Sequence, residues 1–159
     1  PATDGNNFTL DDASAFVYSN TNNGSAGNTF LFGSRDAANA GRVELIPKNA
    51  SSLHVAGVNS AGTTAGLGSA PVSSLGFFQI QRTADDELRI FKDGSQVGTT
   101  QTAASDSLNN DDIAILASNA NGTAGGHSTE QVGLFGLGAS LAGKESDLYD
   151  AWNNYFNSL

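Results

Sequence analysis

Planar amides gathered in short polar runs are the side chains of this sequence best suited to meeting a ligand. Asn22 and Asn23 fall in the run 21–28, and Asn119 and Asn121 in the run 118–128, which also carries His127 after a Gly-Gly pair. An amide offers two donors and an acceptor on one planar group, the chemistry that sugar hydroxyls need. Asp36, in the loop 34–41, and the Asn119/Asn121 pair are hard oxygen donors of the kind calcium takes. The expected ligand-binding set is therefore Asn22, Asn23, Asn119, Asn121 and His127, with Asp36 as the calcium candidate. Turn-building competes with this reading at every Asn, because Asn and Gly tolerate the positive φ that tight turns require.

Other chemistries find less to work with. Ser, His and Asp are present, but no Gly-x-Ser-x-Gly elbow accompanies them. His54 stands between Leu53 and Val55 in an apolar run and reads as a structural or surface histidine. Zinc would need three or four ligands, and two distant His with no Cys do not supply them. Trp152, the single Trp, belongs to an apolar helical stripe and reads as core or interface contact rather than as a sugar platform. Three sequons, at Asn7, Asn49 and Asn121, are about what this much Asn, Ser and Thr produces by chance.

The totals narrow the class. Charged residues make up 14% of 159 and the net charge is -9, with the seven basic residues scattered singly. Phosphate-backbone binding needs clustered Lys and Arg, so nucleic acid is set aside. With no Cys and no Met, the chain builds no disulfide framework, which suits an exported or virion-borne protein and a cytosolic one equally. No apolar run approaches the roughly 18 residues of a membrane span, and no signal peptide is visible. A start at Pro1 without Met suggests a processed chain or a domain excised from a longer one. The length suits one domain over 1–159.

Elements must then position these side chains. Nineteen Gly punctuate short apolar packets at 7–10, 14–19, 29–33, 42–46, 53–58, 77–82, 112–118 and 131–138, a pattern of nine or ten strands with many loops. Between them, ELRIFKDGSQVG (87–98) is a hairpin around Asp93-Gly94, with Leu88 and Ile90 inward and Arg89 outward. From Lys144 to Leu159, the spacing of Leu148, Trp152, Tyr155 and Leu159 predicts one apolar stripe on a closing helix, with Glu145 and Asp147 favoured in its first turn. Tyr155 and Phe156 exceed what a narrow stripe can hold, so part of the helix is expected to pack on a second subunit or on the rest of a longer chain.

The wording of several strands resembles that of concanavalin A-like, laminin-G-like jelly rolls. GFFQIQRTADDELRIFKDGSQVG (76–98) is similar to that family's central hairpin, and DIAILASN (112–119) to the strand that follows, with Ala117 where Gly is common. QVGLFGLGASLAGKESDLYDAW (131–152) resembles the closing strand and helix, with Ala142 where a capping Ser or Thr usually stands. NFTLDDASAFVYSNTN (7–22) and NTFLFGSRD (28–36) look like an early strand and its partner. The resemblance implies an all-β, two-sheet antiparallel jelly-roll sandwich closed by a helical segment over 140–159. The Asn- and Gly-rich wording is closest to modules of phage fibres, receptor-binding tips and decorations.

Glycan-cleaving members of that fold carry Glu-x-Asp-x-Glu or Glu-x-Asp-x-x-Glu on one strand, so that alternation aims the carboxylates at one face. Glu44, Glu87, Glu130 and Glu145 show no such neighbours, and the nearest approach, Glu145-Ser-Asp147, lies on the predicted helix. The expectation is a non-catalytic, lectin-like module that binds surface glycans, requires no cofactor, has a candidate calcium site at the loop rim as the resemblance implies, and sits on a virion or outside the cell as a homo-oligomer among other structural subunits. The alternatives are a purely structural decoration or assembly domain and, further off, a diverged glycan-cleaving enzyme.

Overall fold

A computed structural model describes residues 7–22, 27–63, 67–68 and 72–159 of the chain. Its long strands follow from side-chain alternation. In β5 (Gly76–Ala84), Phe78 and Ile80 turn into the core while Phe77, Gln79 and Gln81 turn to the opposite face. β1 (Ala13–Ser19) does the same with Ala13, Ala15 and Val17 inward, and β6 (Glu87–Lys92) with Leu88 and Ile90 inward, as the sequence predicts.

Two sheets result. The first runs β12 (Val132–Gly138), β1, β5, β6 and β7 (Ser95–Gln96), with β8 (Gln101–Thr102) also on β6. The second runs β11 (Thr123–Gly125), β10 (Ser118–Ala120), β2 (Phe32–Arg35), β3 (Arg42–Ile46) and β4 (Val55–Ser60), with β9 (Ala114–Ile115) also on β2. Leu31, Phe32, Val43, Leu45, Ala56 and Val58 of the second sheet meet the inner residues of the first in one buried cluster. Phe30, Ile46 and Val55 form a separate small cluster. This is an all-β sandwich with a single C-terminal helix, α1 (Glu145–Phe156), among the described residues.

Arg82 joins the two sheets. It is fully buried on β5, and its Nε–H donates to the Val58 carbonyl of β4 at 2.8 Å. Its Nη1 donates to the carbonyls of Ala84, Asp85 and Ala103 at 3.3, 3.0 and 2.7 Å. Burial lowers its pKa, and the nearby carboxylates of Asp11, Asp85 and Asp86 oppose that shift. His54, also buried, packs edge-on to the Phe78 ring at 5.2 Å between centroids and bonds the Pro47 carbonyl through Nδ1. It is a structural histidine.

Four features depart from the sequence expectation. The apolar run 112–118 is two strands, β9 and β10, because Leu116 takes φ 60 and turns the chain. In consequence β9 pairs antiparallel with Phe32 and Gly33, and β10 comes back along Ser34 and Arg35 in parallel, so the sheet is mixed rather than wholly antiparallel. The presumed loop 119–128 contains the β10–β11 hairpin, turned by Asn121 (φ 50) and Gly122 (φ 83). Consecutive positive φ values at an Asn-Gly pair are the hairpin geometry that Asp93 (φ 50) and Gly94 (φ 77) also adopt. Segment 7–10 forms no strand, although Phe8 is buried.

The helix is the fourth. Tyr149, Trp152 and Phe156 are its sheet-facing residues, at i, i+3 and i+7, while Tyr155 is 58% and Leu159 86% exposed. The first sheet presents Tyr18 and Phe77 on its outer face, and the helix rotates to lay its rings on them. Lys144, not Ala142, is the N-cap, and no side chain caps the helix.

Candidate functional site

The groove between α1 and the outer face of the first sheet gathers more ligand-suited chemistry than any other cleft among the described residues. Tyr18 of β1 supports it from below, with its ring centroid 5.0 Å from that of Trp152 and 5.4 Å from that of Phe156. Trp152 and Phe156 lie 5.5 Å apart, and Tyr149 sits 6.2 Å from Phe77. These tilted contacts hold the rings without flattening them onto each other, as the aromatic quadrupole prefers.

The β6–β7 turn closes one wall. Asp93 Oδ1 accepts from the Phe77 N–H at 2.8 Å and Oδ2 from Lys92 Nζ at 2.6 Å. Gly94 suits this spot: L side chains rarely adopt its φ of 77, and a Cβ would crowd Tyr149 Cδ1 at 3.1 Å. At the helix start, Gln81 Nε2 donates to Glu145 Oε1 at 2.6 Å while its Oε1 accepts from the Leu141 N–H at 3.1 Å. The hairpin at 87–98 is therefore scaffold and groove wall together.

The opposite wall is the amide pair Asn153 and Asn157, one helical turn apart, with Asn157 Nδ2 donating to Asn153 Oδ1 at 3.1 Å. The groove encloses about 360 Å³, inside the roughly 300–1,000 Å³ range of small-ligand clefts. An aromatic floor with amides and a bound ion pair along its sides can stack the C–H face of a ring and bond its hydroxyls.

The residues expected from sequence separate to two ends of the sandwich. Asp36 and Asn121 meet at the C-terminal end of β2, lining a cleft of about 150 Å³ with Leu108, Asn109, Asn110 and Asp111. Asn119 stands beside them on β10, its Nδ2 donating to the Asp112 carbonyl at 2.8 Å and its buried Oδ1 without a partner. His127 is exposed at the other end, next to Gly126, whose carbonyl accepts from Phe30 N–H just before β2. Asn22 lies toward that end as well, since the neighbouring Thr21 hydroxyl bonds the Glu130 carboxylate. Its Oδ1 accepts from the N–H and hydroxyl of Ser74 at 3.2 and 3.3 Å, so it works as a loop brace. Asn23 lies outside the described residues.

At the Asp36 cleft, two of the candidate calcium oxygens already accept hydrogen bonds. A calcium ion takes six to eight oxygens, but Asp36 Oδ1 already accepts from Ala40 N–H at 2.7 Å and Asn109 Oδ1 from Asp111 N–H at 2.8 Å. Among the described residues no group of three or more His, Cys, Asp or Glu could hold a metal.

Sequence reasoning named Trp152 but not as a site residue, and missed Tyr18, Lys92, Asp93, Asn153 and Asn157. One signal was available: Asn153 and Asn157 flank the apolar stripe at i, i+4, an arrangement that places two amides in a row beside the aromatics. Comparison with known proteins gives no matching family model, no matching curated protein and no matching solved structure. The functional reading therefore rests on the groove.

Proposed function

We propose that this protein is a non-catalytic, lectin-like β-sandwich that binds surface glycans, with the groove under α1 as its seat. The observation that carries this reading is the meeting of Tyr18, Trp152 and Phe156 with Asp93, Asn153 and Asn157 in one open cleft. The concanavalin A-like jelly roll is the proposed topology, and a virion or other extracellular surface is the proposed setting. No helix among the described residues is long and apolar enough to cross a membrane.

The four Glu carboxylates favour binding over cleavage, and Asp93 is the one carboxylate lining the groove among the described residues. Glu44 is buried against Arg42 and Ser118, Glu87 holds Thr83 and Arg89, Glu130 holds Thr21, and Glu145 holds Gln81. Each is engaged on a different element, whereas hydrolysis of a glycosidic bond needs two carboxyls across one cleft.

The test is binding of the purified chain to a glycan array and to host envelopes, with calcium and with chelator. Saturable binding is expected, and no binding by a folded sample overturns the reading. Loss with chelator would assign calcium a place at Asp36 despite its occupied Oδ1. A second reading, assembly through α1, is favoured by the exposure of Tyr155, Phe156 and Leu159. Under it, sedimentation shows an oligomer that Tyr155→Ser with Leu159→Ser converts to monomer.

A further inference from the structure

We infer that the groove is selective for the vicinal diol of a neutral pyranose and rejects acidic sugars; this rests on the glycan-binding reading above. The amide pair supplies the first argument. Asn157 Nδ2 donates one N–H to Asn153 Oδ1 at 3.1 Å, and that bond orients the two amides relative to each other. Asn153 Nδ2 is left as a donor and Asn157 Oδ1 as an acceptor, side by side on the groove wall. Two neighbouring hydroxyls match that pair, one accepting from Asn153 and one donating to Asn157.

Charge supplies the second argument. Lys92 is the single cation lining the groove among the described residues, and its Nζ is held by Asp93 Oδ2 at 2.6 Å and lies 5.7 Å from the centre of the Phe78 ring. Asp93 in turn is fixed by the Phe77 N–H. A carboxylated sugar would meet the Asp93 carboxylate beside the one cation it could pair with, and it would approach a molecule of net charge -9. A neutral sugar meets neither obstacle, so its binding is indifferent to salt. Trp152 and Tyr18 give the C–H face of the ring its platform, and a volume of about 360 Å³ suits one or two sugar units rather than a long chain.

Because Trp152 is the sole Trp, its fluorescence reports on the groove directly. The experiment titrates the whole chain with methyl glycosides of neutral hexoses, their single-deoxy analogues, a uronate and a sialoside, at low and high salt. It is repeated on Asn153→Asp and Asn157→Asp, with far-UV circular dichroism confirming that the helix remains. Expected is a saturable, salt-indifferent change with a neutral hexoside. Asn153→Asp, which replaces the donor by a carboxylate oxygen, weakens it by about tenfold, as does removal of one of the two adjacent hydroxyls.

Binding confined to the acidic sugars and lost at high salt overturns the selectivity while leaving the glycan-binding function. A glycan that binds on the array without changing Trp152 fluorescence, and that binds Asn153→Asp as well as wild type, places the site elsewhere: it overturns the inference and the groove as the seat, and leaves glycan binding standing. No sugar binding by either method overturns both.

Discussion

At the scale of single residues, two buried basic groups hold the sheets together by different means. Arg82 is a cation held through Nε and Nη1 by carbonyls rather than by a carboxylate within bonding distance, one of them on the facing sheet, while its buried Nη2 has no partner. Lys at this position keeps the charge but not the planar fork, so it reaches fewer of the four carbonyls. Charge-assisted bonds contribute roughly 1.5–3 kcal/mol each, and Arg82→Lys is expected to cost about 3 kcal/mol in urea unfolding. A cost below about 1 kcal/mol would mean that those carbonyls find other donors. His54 behaves oppositely. Burial lowers its pKa from 6.5, against the Pro47 carbonyl, which raises it, and with Lys92 lowering it further. Below pH 6.5 the unfolded chain takes up a proton that native His54 declines, so stability falls as pH falls, by at most about 1.4 kcal/mol per unit, until the native ring is protonated too. His54→Phe loses the Pro47 bond at every pH, but its stability should slope less between pH 7 and pH 5 than that of wild type. Equal slopes in the two proteins would mean that His54 takes no part in acid sensitivity.

At the scale of elements, α1 is the least self-sufficient. It has twelve residues, none buried, no capping side chain at Lys144 and no basic residue in its last turn. A helix this short is marginal alone, so its order comes from the rings on Tyr18 and Phe77 and from the Gln81 bonds. Lys144→Ser supplies a cap for the first-turn N–H groups and loses only the exposed pair with Asp147, which contributes little. It should stabilise the helix by about 1 kcal/mol, seen as a later loss of far-UV helical signal on heating; an unchanged or earlier loss would show that the capping position does not limit the helix. The existence of this helix was legible in its spacing, but its orientation was not. Leu148, Trp152, Tyr155 and Leu159 fit a stripe as well as Tyr149, Trp152 and Phe156 do, and only the shape of the outer sheet face chooses between them. The β10–β11 hairpin was equally legible in principle. Asn121-Gly122 carries the same signal as Asp93-Gly94, and its flanks of Ala, Ser, Asn and Thr hid it because they lack the alternating apolar residues that marked β6.

At the scale of the molecule, the sandwich could be read because core-facing apolar residues recur at every second position in β1, β3, β5 and β6, whereas the groove could not. Tyr18, Lys92 with Asp93, and the segment 149–157 come from three distant parts of the chain and meet only once the helix lies across the first sheet, so no spacing records them. The same layering sets how stability is distributed. β1 lies between β12 and β5 and β5 between β1 and β6, so their backbone groups bond on both sides and their inner side chains reach the shared core. The β10–β11 hairpin ends in an exposed turn at the sheet edge, and α1 rests on one face with no buried residue. Amide exchange slows with the free energy of the opening that exposes each N–H. Protection should therefore be greatest in Ala13–Ser19 and Phe77–Arg82, lower in Thr123–Gly125, and lowest in the last turn of α1. A ligand in the groove joins the helix to the sheet, so a bound neutral sugar should slow exchange in α1 and leave Thr123–Gly125 unchanged. Hydrogen exchange read by mass spectrometry checks both parts. Protection of α1 equal to that of β5 in the free protein would show that the helix opens only with the whole sandwich, and the groove would then be a fixed feature of the fold rather than one that its ligand helps to hold.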